Sequence, residues 1–313
     1  MRSAVITTLA FTFIALGAAR AAEPASCKKV RLSDPGWTDV TAITATASVI
    51  LEALGYETEA QMLSIDVTYA SMKNKDIDVY FGDWQPSTAA NRQPYLDDKS
   101  IEVVSTNLTG AKYTLAVPRY TAEAGVKDIA DLSKFADKFG KKIYGIEPGN
   151  DGNRLIGEMI KSGKFRLEGW EVVESSESGM LSQVERAVAR QQWIAFLGWA
   201  PHPMNARFPM EYLSGGDDYF GPNYGGAEVH TDIRAGYGAE CPNVTKFATN
   251  LKFTVDIQNE LMGKVIEDAK DPKPVARTWL KANENLIGPW LEGVTTYDGG
   301  DAKAAVAAAL DGD

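Results

Sequence analysis

The apolar and polar positions of this chain fall into repeated strand and helix rhythms. Lys28-Lys-Val-Arg-Leu32 reads as a strand, and Asp34-Pro-Gly36 as a turn. A helix is predicted from Thr38 or Asp39, either of which can cap it. It carries Ala42, Ile43, Ala47, Ile50 and Leu51 at helical spacing and stops at Gly55. The segment 56–63 has no clear period. Ser64-Ile-Asp-Val67 opens a new unit that leads through a short helix at Thr68–Lys73 to a strand at Ile77–Phe81. A second rhythm starts at Tyr113-Thr-Leu-Ala-Val117, a strand. Helical pattern follows at 130–139, a strand at Lys142–Ile146 and a helix at Asn153–Lys161. Ser178–Gln191 is strongly amphipathic, with Met180, Leu181, Val184, Ala187 and Val188 on one face, and the strand Trp193–Leu197 follows it. From Val244 onward the pattern is mostly helical, with a Gly-, Ala- and Asp-rich tail whose last turn is expected to fray.

Strand–helix–strand alternation is the mark of α/β layering. No repeat of fixed period and no long low-complexity linker interrupts it. The pattern divides into two α/β lobes. A middle lobe covers 113–212, and an outer lobe is built from both chain ends, 22–112 and 213–313.

The first residues change this picture by adding an export signal at 1–21. Arg2 precedes an apolar stretch, Ala4–Ala18, and Ala19-Arg-Ala21 has small residues where a signal peptidase reads. The stretch, about 15 residues, is short of the roughly 20 needed to span a bilayer. Removing 21 residues from 313 leaves 292, enough for two ordinary lobes or one large domain. Export makes the two cysteines, Cys27 and Cys241, a natural disulfide pair. Such a bond would place both chain ends in one lobe. The rival is acylation of Cys27 in Pro24-Ala-Ser-Cys27, but that segment lacks a large aliphatic residue three before the cysteine. The formal charge of −10, or −12 without Arg2 and Arg20, disfavours nucleic acid and anionic membrane surfaces. It is compatible with a cationic ligand, though solubility alone explains it.

Three tryptophans stand where a strand-like run gives way to a loop. They are Trp37 in Asp34-Pro-Gly-Trp-Thr-Asp39, Trp84 in Val79-Tyr-Phe-Gly-Asp-Trp-Gln-Pro86, and Trp199 in Ile194-Ala-Phe-Leu-Gly-Trp-Ala-Pro201. A lone tryptophan in such a place reads as core packing. Several ring faces meeting at one point make a cage for a quaternary ammonium, because each face is negative and the cation donates no hydrogen bonds. Ligands of open α/β sheets bind beyond the carboxyl ends of the strands, which is where these indoles fall. Trp170, Trp193, Trp279 and Trp290 lack that context and read as structural.

The Gly-Trp-Thr-Asp, Phe-Gly-Asp-Trp-Gln-Pro and Gly-Trp-Ala-Pro-His-Pro-Met blocks resemble the glycine betaine/choline branch of periplasmic substrate-binding proteins, and specifically its choline binders. The resemblance runs along the whole mature chain. It implies the fold class: α/β, a two-lobed periplasmic-binding-protein fold (type II), each lobe a β-sheet flanked by helices, closing over the ligand by hinge bending. It implies a cage of Trp37, Trp84, Tyr113 and Trp199. It also implies that Asp39 and Asn150 contact the ligand hydroxyl, with Asp151 a less favoured substitute for Asn150. On their own, Asp39 reads equally as a helix cap, and Gly149-Asn-Asp-Gly152 as turn chemistry.

The implied partners are choline and the membrane permease of an ABC importer. The implied place is the periplasm, the implied state a monomer, and no cofactor is called for. Choline is favoured over glycine betaine because Asp39 can accept from a hydroxyl and would repel a carboxylate. A glycine betaine (osmoprotectant) receptor remains open, as does an exported enzyme acting on a cationic substrate. Signals for catalysis are weak. His202 and His230 are isolated from each other and from the cysteines, which leaves no zinc pattern. Gly157 to Lys164 has the wrong glycine spacing for a phosphate loop, and no Gly-x-Ser-x-Gly elbow occurs.

Overall fold

A computed structural model describes residues 22–268 and 271–312. The expected export signal lies outside the described residues.

Among the described residues, nine strands form one continuous sheet: β1 Lys29–Asp34, β2 Glu57–Met62, β3 Val79–Gln85, β4 Ile101–Pro118, β5 Lys142–Tyr144, β6 Glu171–Val173, β7 Ala195–Ala200, β8 Met210–Tyr212 and β9 Gly226–Arg234. Their order is β2-β1-β3-β9-β4-β7-β5-β6, with β8 paired to β4. Each end of the sheet is a parallel three-strand unit. At one end β1 pairs in parallel with β2 and β3, and at the other β5 pairs in parallel with β6 and β7. The two units have the same connectivity: first strand, helix, outer strand, helix, third strand beside the first. Helix Thr38–Ala53 makes the first crossover of one unit, and helix Asp151–Ser162 that of the other.

The antiparallel pair β4 and β9 joins the units. The N-terminal part of β4 pairs with β9, and its C-terminal part with β7 and β8. Its register against β9 slips between Val103 and Ser105, between Thr106 and Leu108, and between Leu108 and Ala111. Such bulges bend and twist a strand. They fall where β4 passes from one half of the molecule to the other. The sheet thus falls into two halves joined at β4 and β9, the two-lobed arrangement that the resemblance implies.

Both chain ends belong to the β1–β3 half. Cys27 and Cys241 are fully buried and joined by a disulfide. Closing a 214-residue loop is worth about 5 kcal/mol on the chain-entropy account. Helices Val255–Asp268 and Pro272–Ala282 pack on Thr38–Ala53. Trp279 and Trp290 are buried there, their indole N–H groups donating to Glu260 and to the Lys252 carbonyl.

Several elements differ from the sequence reading. The aperiodic segment 56–63 contains β2, an edge strand with mostly polar residues and no buried position. The strand expected at 113–117 is the end of the 18-residue β4. The 130–139 pattern is a 3₁₀ helix, Ile129–Phe135, followed by one α-helical turn. β6 and β9 gave no recognised signal. Residues 213–225 pack against the β5–β7 half: Ser214 donates to Asp128, Lys164 pairs with Asp218, and the Phe220 ring meets Tyr113.

Candidate functional site

The ends of the parallel strands carry the site. After β1, the Gly36 backbone at φ +85° makes the turn that glycine permits, and Asp34 fixes it by accepting from the Gly36 N–H and the Thr41 hydroxyl. Trp37 follows at the helix start. In β3, Asp83 precedes Trp84 and accepts from Tyr69, Gln85, Thr88 and Arg92, which holds that strand end rigidly. After β5, Asn153 clasps the loop by accepting from the Ile146 N–H and donating to the Ile146 and Glu147 carbonyls. Near the end of β7, Asn205 donates to the Trp199 carbonyl. Trp84-Gln-Pro86 and Trp199-Ala-Pro201 both contain a cis peptide bond before proline.

All six residues singled out in the sequence line one small cavity: Trp37, Asp39, Trp84, Tyr113, Asn150 and Trp199. Ile146 and Asp151 complete its wall. The Tyr113 ring lies 6.1 Å from Trp84 and 6.3 Å from Trp199 between centroids, tilted by 59° and 78°. The rings are angled walls, not a flat stack. Trp37 comes from the β1–β3 half on the far side of the cleft from Asn150 and Trp199.

Hydrogen bonds fix the walls. The Trp84 indole N–H donates to Asp39 Oδ2 at 2.8 Å. The Trp37 indole N–H donates to Glu147 Oε1 at 2.8 Å, across the cleft. The Tyr113 hydroxyl donates to Asn150 Oδ1 at 3.0 Å, and the same oxygen caps the following helix by accepting from the Gly152 N–H. Asn150 Nδ2 donates to Glu147. A Cβ on Gly152 would stand 2.0 Å from the Tyr113 hydroxyl oxygen. Gly152→Ala is therefore expected to displace Tyr113 and cost about 1–3 kcal/mol of stability. Denaturant unfolding checks the loss, and near-UV circular dichroism checks the tyrosine environment.

The cavity holds carboxyl groups that are costly to ionise. Burial pushes Asp39 up to about 7; the Trp84 bond opposes this, and the charge of Glu177 adds to it. Burial likewise pushes Asp151 up to about 6, against a hydrogen bond from Ser87. Asp151 Oδ2 is buried and has no hydrogen-bond partner among the described residues. Glu147 is raised as well, chiefly by burial, with the Trp37 and Asn150 bonds pulling down. Among the described residues, no Lys or Arg lines the cavity.

One reading of the sequence needs correction. Asp39 does not cap its helix. The helix starts at Thr38, the capping position is Trp37, and no side chain of this segment makes a cap bond. The Asp39 carboxylate turns to the Trp84 indole instead. His202 is buried against Trp199, with centroids 4.9 Å apart, and is bonded to Glu177. Sequence reasoning also missed Glu147 and Glu177. Glu177 sits in Glu174-Ser-Ser-Glu-Ser178, a run that looks like a solvated surface.

The profile of the substrate-binding domain of ABC-type glycine betaine transport systems matches residues 28–282. The chain belongs to this family. Its members are the substrate-binding components of transporters. A solved structure titled "ABC-transporter choline binding protein in complex with choline" is 60% identical and covers 92% of this chain and 100% of its own, with a TM-score of 0.90. Another, titled "ABC-transporter choline binding protein in unliganded semi-closed conformation", is also 60% identical, covering 91% and 99%, with a TM-score of 0.84. The present backbone thus follows the liganded form more nearly than the semi-closed one. The glycine betaine/carnitine transport binding protein of Listeria monocytogenes is 29% identical over 162 residues, 51% of this chain and 52% of that protein.

Proposed function

We propose that this protein captures choline in an aromatic cage and delivers it to the membrane permease of an ABC importer. The observation that carries the reading is the composition of one cavity. Four aromatic rings and two buried carboxyl groups, Asp39 and Asp151, converge on it without a cationic side chain among the described residues. Ring faces attract a cation that cannot donate hydrogen bonds. Trp37, Trp84, Tyr113 and Trp199 take the trimethylammonium group. Asp39 and Asn150 orient the hydroxyl, with the unpartnered Asp151 Oδ2 as a further acceptor. Similarity to a choline complex at 60% identity supports the same ligand.

The proposal includes a periplasmic, monomeric protein, exported with loss of 1–21, that returns its ligand unchanged. The lobes are assigned at 113–212 and at 22–112 with 213–313. The contacts of Ser214, Asp218 and Phe220 favour moving 213–225 to the middle lobe.

Glycine betaine is the second reading, favoured by the family name and by the helix N-terminus at Asn150, where backbone N–H groups could meet a carboxylate. Calorimetric titration of residues 22–313, stripped of co-purified ligand, separates the two. Choline is expected to bind at least about 100-fold more tightly, since a betaine carboxylate would face Asp39 and Asp151 in a buried site. Equal or tighter binding of glycine betaine would overturn the choline assignment and keep the cage. Binding of neither would overturn the cage and bring an enzyme on a cationic substrate forward.

A further inference from the structure

The first helix of the β1–β3 half borrows its cap from the other half. Its capping position is Trp37, which supplies no side-chain bond. A helix N-terminus needs an acceptor, and its dipole favours an anion. That acceptor is Glu177, the first residue of helix Glu177–Ala189 across the cleft. Glu177 Oε2 accepts from the Thr38 backbone N–H at 2.9 Å, and Oε1 accepts from the Thr38 hydroxyl. The third bond comes from His202. His202 Nδ1 accepts from the Met204 N–H at 2.9 Å, so Nε2 carries the proton and donates to Glu177 Oε1 at 3.1 Å. Glu177 and His202 are both buried.

The segment so gripped is Trp37-Thr38-Asp39, which places two cavity residues either side of Thr38. The residue that holds Glu177 from behind, His202, packs on the Trp199 wall. The partners sit on opposite halves of the sheet, so the Thr38 bonds exist only while the halves are together. Closure has an opposing term. It brings the Glu177 charge near Asp39, Asp34 and Glu147, all carboxyl groups whose ionisation it disfavours. A bound cation relieves that repulsion. The latch is therefore more secure with a cationic ligand inside than with the cleft empty.

We propose that Glu177 is the cross-cleft latch of this protein: its carboxylate caps the Thr38–Ala53 helix on closure, and release of that cap limits ligand departure. Glu177 touches no ligand in this scheme; it is a positioning residue acting through Thr38. The inference rests on the choline reading. Its test is stopped-flow tryptophan fluorescence on the disulfide-intact chain, measuring choline association and displacement. Glu177→Ala is expected to raise koff about 10- to 100-fold while changing kon less than about threefold, as truncating a buried charge-bonded partner does. Glu177→Gln, which can still accept from Thr38, is expected to fall between. Thr38→Val should raise koff less, and adding it to Glu177→Ala should produce no further rise.

A merely structural glutamate would instead lower the unfolding temperature of the ligand-free protein without that pattern. Unchanged koff in Glu177→Ala overturns the latch, as does a Thr38→Val effect that multiplies with it. A rise in koff matched by an equal loss of ligand-free stability overturns it too. If the unmodified protein binds no choline, the functional reading fails and the latch falls with it. If it binds and the variants release normally, the latch alone fails.

Discussion

3,3-Dimethylbutan-1-ol, the carbon isostere of choline, is expected to bind about 100- to 1,000-fold more weakly than choline. The two molecules share shape and hydroxyl and differ only in charge. An apolar pocket would hold the isostere equally well or better, since it costs less to take from water. A cage holds the cation by the negative faces of its rings, and each such contact is worth roughly 0.5–2 kcal/mol, more when water is excluded. Trp37, Trp84, Tyr113 and Trp199 are all buried, so the upper part of that range applies. Two or three effective faces suffice for the expected ratio, because about 1.4 kcal/mol is a factor of ten. The tilts of 59° and 78° at Tyr113 matter here, since angled rings present faces toward a common centre. Competition calorimetry against choline reads the ratio. Equal affinities would replace the cage with an ordinary hydrophobic cleft.

Two ring positions of this site were legible from the residues themselves because they obey a local rule, whereas Tyr113 entered only through the resemblance. An indole at the end of a parallel strand, followed closely by proline, has few places to go. Trp84 and Trp199 both satisfy that description, and they occupy equivalent third strands in the two halves of the sheet. The equivalence itself was hidden. The halves share connectivity without sharing loop lengths, so no fixed repeat period marks them. β9 was missed although it is the strand on which the two halves meet. It follows a glycine-rich stretch, 215–225, and its Ala227, Val229, Thr231 and Ile233 alternate with Glu228, His230 and Asp232, a period-two signal that the sequence reading passed over. The polar contacts were the least legible. Asp39 looks like a helix cap in sequence, and only the approach of Trp84 redirects it. Glu147 and Glu177 reach their partners across 110 and 139 residues of chain. No spacing rule connects such pairs, since their proximity comes from the sheet crossing and from lobe closure.

Choline affinity is expected to fall as pH drops below 7, by about tenfold per pH unit over the first unit or two. Asp39 lies near 7 in the closed cavity without a cation, because burial disfavours its charged form. A trimethylammonium group beside it favours the carboxylate, so binding lowers that value and releases a proton. Affinity is then flat above about pH 8. It declines once free Asp39 is protonated, and more steeply below about 6, where Asp151 joins. The ligand-free protein should respond in the opposite sense. Asp39 has a folded value above its unfolded one, so its contribution to stability is full below the unfolded value near 3.8 and is lost as pH rises through about 7. Acidification from pH 7.5 to 5.5 therefore favours the empty fold at this group while shrinking the increment that choline adds. Asp39→Asn isolates the charge, because an amide oxygen can still accept from the Trp84 indole. The variant is expected to bind choline about 100-fold more weakly at pH 8, to lose most of the slope between pH 8 and 6.5, and to approach the unmodified protein at pH 5.5. Calorimetry across this range, in two buffers of different ionisation enthalpy, counts the protons released. A flat profile, or an Asp39→Asn variant that keeps the full slope, would show that Asp39 is not the group that couples the cation to the proton.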